Sequence, residues 1–132
     1  MNKALITVQA GQLSKQKIAQ LNLMLKQHYR RFVCDTKLQT VWCVVPTGQA
    51  FTKYELSRSS LLTIECPNGF EQRKRISMLK ACERDWVAIT GLKVQRVLTT
   101  LIGFPASWAM EGGEILPEPG EEETWLQRTN TT

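Results

Sequence analysis

The stretch "QTVWCVV", residues 39–45, is matched 56 positions later by "QRVLTTL", residues 95–101. The same offset of 56 relates "LITV" at 5–8 to "LLTI" at 61–64. Because one offset holds at both ends of the segment without a gap, the chain is predicted to be a tandem repeat of units of about 40 residues. Each unit has two short β-branched runs, typical of strands, on either side of a stretch with helical periodicity.

The strands and helices follow from the spacing of the apolar residues. Ser14 is a plausible N-cap for the first helix, and Gly91 stands where a C-cap glycine ends the second. Four strands are predicted, at residues 4–8, 40–45, 60–66 and 94–102. The apolar stripes are Ile18, Leu21, Leu25, Tyr29 and Phe32 in the first helix and Ile76, Leu79, Cys82, Trp86 and Ile89 in the second.

The predicted fold class is α/β (α+β), a tandem β-α-β repeat that forms a four-stranded sheet with two helices on one face. Each helix is long enough to cross over, so the strands within a repeat are expected to be parallel. The opposite sheet face is left uncovered, which predicts burial against another subunit in a closed cyclic oligomer. The chain divides into repeat one (about 4–45), a connector with a turn or short hairpin (46–59), repeat two (about 60–104) and a C-terminal arm (105–132).

Charge separates the body of the chain from its arm. The chain has 132 residues and a net charge of +5, with +10 in residues 1–110 and −5 in residues 111–132. The basic body could bind nucleic acid or a small carboxylate, or the acidic arm could neutralise it within an assembly. The apolar runs are far shorter than the ~20 residues of a membrane span, and the start does not resemble a signal peptide. A cytoplasmic protein without a membrane partner is therefore expected.

The arm contains "FPASWAMEGGEILPEPGEEETW", residues 104–125. Four large apolar residues distinguish it from a solvated tail: Trp108, Ile115, Leu116 and Trp125. The arm is expected to be held extended by its prolines and to wrap onto a neighbouring subunit.

The four cysteines, Cys34, Cys43, Cys66 and Cys82, form no C-x-x-C pair, so a metal site is not expected and buried reduced thiols are predicted.

The arm sequence, "LITVQAGQLS" at the start and "KQHYRRF" at the end of the first helix resemble, in order and spacing, the tautomerase superfamily. The similarity is to its cis-3-chloroacrylic acid dehalogenase-like branch. The resemblance implies a homotrimer without a cofactor, acting on a small keto–enol or carboxylate ligand. It also implies an amino-terminal proline that shuttles a proton, two arginines that hold a carboxylate, an assisting His and Tyr, and a Glu that activates water.

Carried over by residue, the resemblance gives a divided result. His28 and Glu111 fall on the histidine and the glutamate, but Met1 stands in place of the proline. Pro67 and Phe70 occupy the positions of the two arginines, which removes the bidentate carboxylate clamp. The assisting tyrosine aligns with Thr100, or with Leu101 if one residue is inserted.

Several residues offer replacements for the missing parts. The primary amine of Met1, or Lys3 in a dry pocket, could transfer the proton. Arg73, Arg75 or Arg96 could approach the ligand from another direction.

Each candidate also has a structural explanation. His28 is near a helix end, where a histidine is favourable to the dipole, and Glu111 lies in a glycine-rich turn of solvated glutamates.

Three functions remain open. The first is weak or altered tautomerase activity, with catalytic candidates Met1, His28 and Glu111. The second is a catalytically inactive binding or structural trimer. The third is a small basic nucleic-acid-binding protein, which the core-like spacing of the aromatic residues disfavours.

Overall fold

The computed structural model describes residues 2–35, 37–52, 55–118 and 120–130. Its main sheet contains β1 (Lys3–Gln9), β2 (Gln39–Val45), β5 (Ser60–Cys66) and β6 (Val97–Gly103), in the order β2-β1-β5-β6. Within each repeat the strands are parallel, and β1 and β5 pair antiparallel at the centre. The predicted four-stranded sheet built from two β-α-β units is confirmed.

Two helices, α1 (Lys15–Phe32) and α2 (Gln72–Thr90), pack against each other on one face of the sheet. The Ser14 hydroxyl accepts a hydrogen bond from the Lys17 amide, as an N-cap does. Gly91 ends α2 with φ of 70°, a left-handed conformation that glycine adopts without strain. Both predicted caps are confirmed.

The apolar stripe of α2 was predicted wrongly at its first member, Ile76. Ile76 is 42% exposed, whereas Met78 is fully buried. Two residues correspond to a rotation of about 200° around a helix, so the two side chains lie on opposite sides. The buried stripe of α2 is Met78, Ala81, Cys82 and Trp86.

The repeat itself contains one inserted residue. Leu5 pairs with Val41 in repeat one, and the equivalent Leu61 pairs with Leu98 in repeat two. The offset is therefore 57 in the second strands, and the gapless offset of 56 is wrong there. Because side chains alternate along a strand, this shift of one residue places each side chain of the second strand on the face opposite to the one that the offset of 56 predicts.

The inserted residue lies between β5 and α2, because the buried strand residues Ile6 and Leu62 are 56 positions apart whereas the helix N-caps Ser14 and Glu71 are 57 apart. Residues Val94–Arg96 form a 3₁₀ turn, so β6 begins three residues later than predicted.

The two faces of the sheet differ sharply in burial. The face under the helices carries Ile6, Leu62 and Ile64, each at most 1% exposed. The outer face carries a row of exposed apolar side chains, with exposed fractions of 50% for Leu5, 55% for Val41, 45% for Leu61, 60% for Leu98 and 42% for Ile102. Within the described chain this outer face is uncovered, as the repeat predicted.

The connector between the repeats forms the predicted short hairpin. Its strands are β3 (Phe51–Thr52) and β4 (Glu55–Leu56), which pair antiparallel. Lys53 and Tyr54 lie outside the described residues.

The arm is folded, so the extended arm was a wrong prediction. It has a 3₁₀ turn at Ala106–Trp108, a small ladder of β7 (Met110–Glu111) and β8 (Glu114–Ile115), and the helix α3 (Glu122–Asn130). Gly112 and Gly113 have φ of 61° and 83°, which allows the tight two-residue turn between β7 and β8. Trp125 donates its indole N–H to the Ile115 carbonyl at 2.7 Å and so links α3 to β8.

The four cysteines form no disulfide with one another, and Cys66 and Cys82 are the two that are buried. Cys34 is half-buried, and Cys43 is exposed because its side chain lies on the outer face of edge strand β2. The prediction of buried thiols is therefore wrong for Cys43.

None of the helices in the described ranges combines the length and the apolar character that crossing a membrane requires.

Candidate functional site

Two adjoining cavities lie at the end of the sheet where the central strand β1 begins. Since β1 runs antiparallel to β5, the start of β1 lies beside the end of β5, and the Lys3 amide donates to Glu65 Oε2 at 3.3 Å. The outer cavity has a volume of about 390 Å³ and the deeper one about 420 Å³. Both cavities are lined by Asn2, Phe104, Pro117 and Glu122.

The folded arm closes the outer cavity. Glu111 of β7 and Trp125 of α3 line it, opposite Lys3 and Glu65 of the sheet. The site therefore joins the beginning of the chain to its arm, although more than 100 residues separate Asn2 from Glu111.

Carboxylates dominate the charge of this site. Among the described residues, Glu65, Glu111 and Glu122 line the outer cavity together with one cation, Lys3. The deeper cavity adds Glu118. None of the described residues that line either cavity is an arginine. Such a lining repels a carboxylate ligand and favours a neutral or cationic one.

One phenol and two thiols, those of Tyr29, Cys34 and Cys66, are among the groups that line the deeper cavity. Burial raises the pKa of the Tyr29 phenol, and the neighbouring Cys34 contributes to the shift. Burial also raises the pKa of the Cys66 thiol, although the charge of Arg75 acts in the opposite direction.

The predicted catalytic residues are divided between two places. Met1 lies outside the described residues, but its neighbour Asn2 lines both cavities. The Asn2 backbone carbonyl accepts from the Gln39 amide at 2.8 Å, and its side chain donates to the Lys37 carbonyl. Glu111 also lines the outer cavity, where its side chain is exposed.

His28 lies elsewhere, in the seam between α1 and α2. Its Nε2 is 2.5 Å from Asp85 Oδ2, and its side chain is 11% exposed. It lines neither cavity, so the structure does not bring it together with Glu111 within one chain. A hydrogen bond from Arg84, with a smaller contribution from His28, holds the pKa of Asp85 below its usual value against a burial effect that raises it.

The positions predicted to contact substrate are also dispersed. Pro67 lines the deeper cavity, whereas Phe70 does not and is half-buried. The Cζ atom of Arg75 lies 5.8 Å from the centroid of the Phe70 ring. Thr100 is exposed on the outer face of the sheet, and the alternative, Leu101, is buried on the inner face.

The three arginines considered as replacements do not line the cavities. The Arg75 Nη1 group donates to the Leu101 carbonyl at 2.5 Å and to Cys66 Sγ at 3.6 Å. The guanidinium of Arg75 is therefore hydrogen-bonded to the backbone of β6 and does not line the cavity. Arg73 and Arg96 are exposed, in α2 and in the turn before β6.

Sequence reasoning missed Tyr29 as a cavity residue. The helical stripe placed it correctly in the core, where it is 1% exposed, but periodicity alone does not show which core residue meets a cavity. The sequence also gave no signal that Cys34 and Cys66, which are 32 residues apart, line one cavity with it.

Among the residues that the structure describes, no cluster of three His, Cys, Asp or Glu side chains could hold a metal ion.

The tandem β-α-β sheet with its helices on one face is the fold of tautomerase-superfamily structures. A solved structure of N1, a member of the cis-3-chloroacrylic acid dehalogenase family, matches with a TM-score of 0.75 and 18% identity, covering 95% of this chain and 90% of that one. Pt0534, solved after inactivation by 2-oxo-3-pentynoate, matches with a TM-score of 0.73 and 17% identity, covering 86% and 95%. Native fused 4-OT matches with a TM-score of 0.74 and 11% identity, covering 86% and 94%.

At these identities the likeness shows the fold alone, which is the tautomerase-superfamily fold. No family model and no curated protein matches the sequence.

Proposed function

We propose that this chain transfers a proton on a small keto–enol compound, with an altered or weak tautomerase activity, in the cavities where β1 begins. The observation that carries the proposal is that Asn2, next to the first residue, and Glu111 of the arm line one cavity. A carboxylate beside a cavity of about 390 Å³ can act as a general base at the carbon next to a carbonyl group. The similar folds of the dehalogenase-family N1 and of fused 4-OT support the same class of chemistry.

The lining charges narrow the substrate class. Glu65, Glu111 and Glu122 face Lys3 without an arginine among the described lining residues, so a carboxylate substrate would meet net repulsion. We therefore propose a neutral keto–enol substrate, such as a 1,3-diketone, in preference to a keto acid.

Deuterium exchange at the central carbon of acetylacetone, followed by proton NMR, tests this activity. We expect the protein to accelerate the exchange and the Glu111→Gln variant to lose about 10²-fold of the acceleration, the effect of removing a positioned general base. Glu114→Gln is the matched control, because Glu114 pairs with Glu111 across the β7–β8 ladder but does not line either cavity. Equal rates for Glu111→Gln and the wild type would exclude Glu111 as the base.

Phenylenolpyruvate, a keto–enol compound with a carboxylate, tests the substrate class. We expect its ketonisation to be accelerated less than exchange of acetylacetone. Blocking the amino terminus by carbamylation tests the predicted role of Met1 in the same assays, and an unchanged rate would eliminate that role.

The proposal includes assembly as a homotrimer. The outer sheet face exposes the apolar row of Leu5, Val41, Leu61, Leu98 and Ile102, and a second subunit would bury it. Solved fused 4-OT structures with a similar fold are described as symmetric and asymmetric trimers.

Light scattering of the Leu98→Glu variant tests this assembly. We expect wild type to have the mass of three chains and Leu98→Glu to dissociate. Leu23→Glu is the control, since Leu23 is similarly exposed, at 58% against 60%, but lies on α1. A wild-type mass of one chain would reject the trimer.

One observation favours the alternative of a binding or structural trimer without catalysis. The Arg75 guanidinium, which could have held a substrate, is engaged by the Leu101 carbonyl and Cys66. A trimeric protein that accelerates neither acetylacetone exchange nor phenylenolpyruvate ketonisation would establish this alternative.

A further inference from the structure

Tyr29 brings a buried phenol, a hydrogen-bond donor, to the wall of the deeper cavity. Tyr29 is 1% exposed, yet it lines this cavity of about 420 Å³ together with Asn2. A buried tyrosine normally keeps its hydroxyl in a hydrogen bond. Here the partner is the side chain of Cys34, which lines the same cavity.

The backbone holds Tyr29 firmly in position. Its carbonyl accepts hydrogen bonds from the amides of Val33 at 2.8 Å and Cys34 at 3.2 Å, which cap the end of α1. The ring is enclosed by the hydrophobic core, so it has little freedom to leave the cavity wall. The position of the ring is therefore fixed before a ligand binds.

The surroundings of Tyr29 keep its proton in place. Burial raises the pKa of the phenol above its ordinary value, and the nearby Cys34, Cys66 and Glu65 add to the shift. At neutral pH the group is therefore an O–H donor. A thiol sulfur is a weaker hydrogen-bond acceptor than a carbonyl oxygen, so a ligand oxygen can replace Cys34 as the partner of the hydroxyl.

We propose that the Tyr29 hydroxyl donates a hydrogen bond to the carbonyl oxygen of a small neutral carbonyl compound in the deeper cavity, and to the enolate oxygen that forms from it. In that step a base removes the proton next to the carbonyl group, the electron pair moves to the oxygen, and Tyr29 stabilises the resulting charge. Return of a proton to the enolate oxygen gives the enol and completes the tautomerisation, whereas its return to carbon gives the ketone with an exchanged hydrogen. The four residues that line both cavities connect this donor to the carboxylate of Glu111.

This inference rests on the proposed function, so its test needs one measurement of binding and one of turnover. The chain contains two tyrosines, which makes 13C labelling at the tyrosine Cζ atoms simple to interpret, and Tyr29→Phe assigns the signals. We expect acetylacetone to shift the Tyr29 signal saturably while the other tyrosine serves as reference. An unmoved Tyr29 signal at saturating ligand would overturn the inference.

Turnover is measured as acetylacetone exchange in Tyr29→Phe. We expect kcat to fall about 10²-fold, the usual effect of removing one oxyanion donor, with KM changed less. A rate equal to that of wild type would overturn the inference but leave the proposed function standing. A wild-type protein without exchange whose Tyr29 signal still shifts would reject the proposed function and retain Tyr29 as the ligand's donor.

The melting temperature of Tyr29→Phe separates this role from a structural one. Phenylalanine keeps the ring and its packing, so we expect a small change in melting temperature beside a large change in kcat. A fall in kcat that disappears at lower temperature, together with a large loss of melting temperature, would show that Tyr29 acts only through stability.

Discussion

Tyr29 and His28 are consecutive in the sequence but belong to two regions that differ in what they can do. Tyr29 lines the deeper cavity at the start of β1, while His28 is bonded to Asp85 in the seam between α1 and α2. One residue rotates the helix by about 100°, which is enough to move a side chain from one region to the other. The comparison shows that the direction of a side chain decides, to within one residue, which part of α1 reaches the cavity.

The two regions also differ in what surrounds them. The cavities connect to solvent and are covered by the arm, whereas the seam is a contact between two helices. Changes at the cavities should therefore alter ligand binding and reactivity, while changes at the seam should alter the free energy of unfolding.

Thiol reactivity should show the largest difference between the regions. Cys82 faces the seam, where burial and the charge of Asp85 raise the pKa of its thiol to about 12. A shift of this size lowers the thiolate fraction at neutral pH by about 10³-fold. We expect iodoacetamide to label Cys34 of the cavity at least about 10²-fold faster than Cys82, as measured by peptide mass spectrometry.

Exposed Cys43 supplies the reference rate in the same samples. Similar rates for Cys34 and Cys82 would show that the seam opens as readily as the cavity, and the comparison would fail.

Arg75→Met should give the next largest effect, on stability. The guanidinium donates to the Leu101 carbonyl and to Cys66 beneath the cavity, and a hydrogen bond from a charged group contributes about 1.5–3 kcal/mol. We expect urea denaturation to show a loss of about 2 kcal/mol, within that range. Arg73→Met, an exposed neighbour on α2, is the control and should leave the midpoint within about 0.5 kcal/mol of wild type. An equal loss of unfolding free energy in both variants would show that the hydrogen bonds of Arg75 do not stabilise the fold.

Asp85→Asn should give the smallest effect, and one that depends on pH. The pKa of Asp85 is held below its ordinary value, first by Arg84, so its stabilising contribution is present above about pH 4 and is lost as the pH falls through the lowered folded-state value. We expect wild type to be more stable than Asp85→Asn at pH 6 and the difference to shrink below about pH 4. A stability difference between wild type and Asp85→Asn that grows on acidification would contradict the stabilising role of the Asp85 carboxylate in the seam.

The same pair of regions shows what could be predicted about the site. The helix that contains both residues was evident from Leu21, Leu25 and Tyr29 at helical spacing, and all three are buried. Which of His28 and Tyr29 reaches a cavity depends on residues distant in sequence, since Cys66 and Phe104 form the facing wall. No pattern within α1 contains that information.

The repeat gives a parallel example at the level of the strands. Similar apolar runs correctly indicated two equivalent units, but the offset of 56 was one residue short in β6. Both registers align β-branched and apolar letters, so the letters could not select between them. Only pairing with β5 shows that Leu98 faces outward and Leu101 inward.

By itself the sequence determined the two β-α-β units, the caps at Ser14 and Gly91, the uncovered apolar sheet face and the charge contrast between body and arm. These features depend on periodicity and composition, which local residue types specify. The tertiary structure decided that the arm folds onto the start of β1, that carboxylates line the resulting cavities, and that Tyr29 is turned toward them while His28 is not. Those outcomes require contacts between residues more than 100 positions apart, and such contacts exist only once the sheet and its helices have packed.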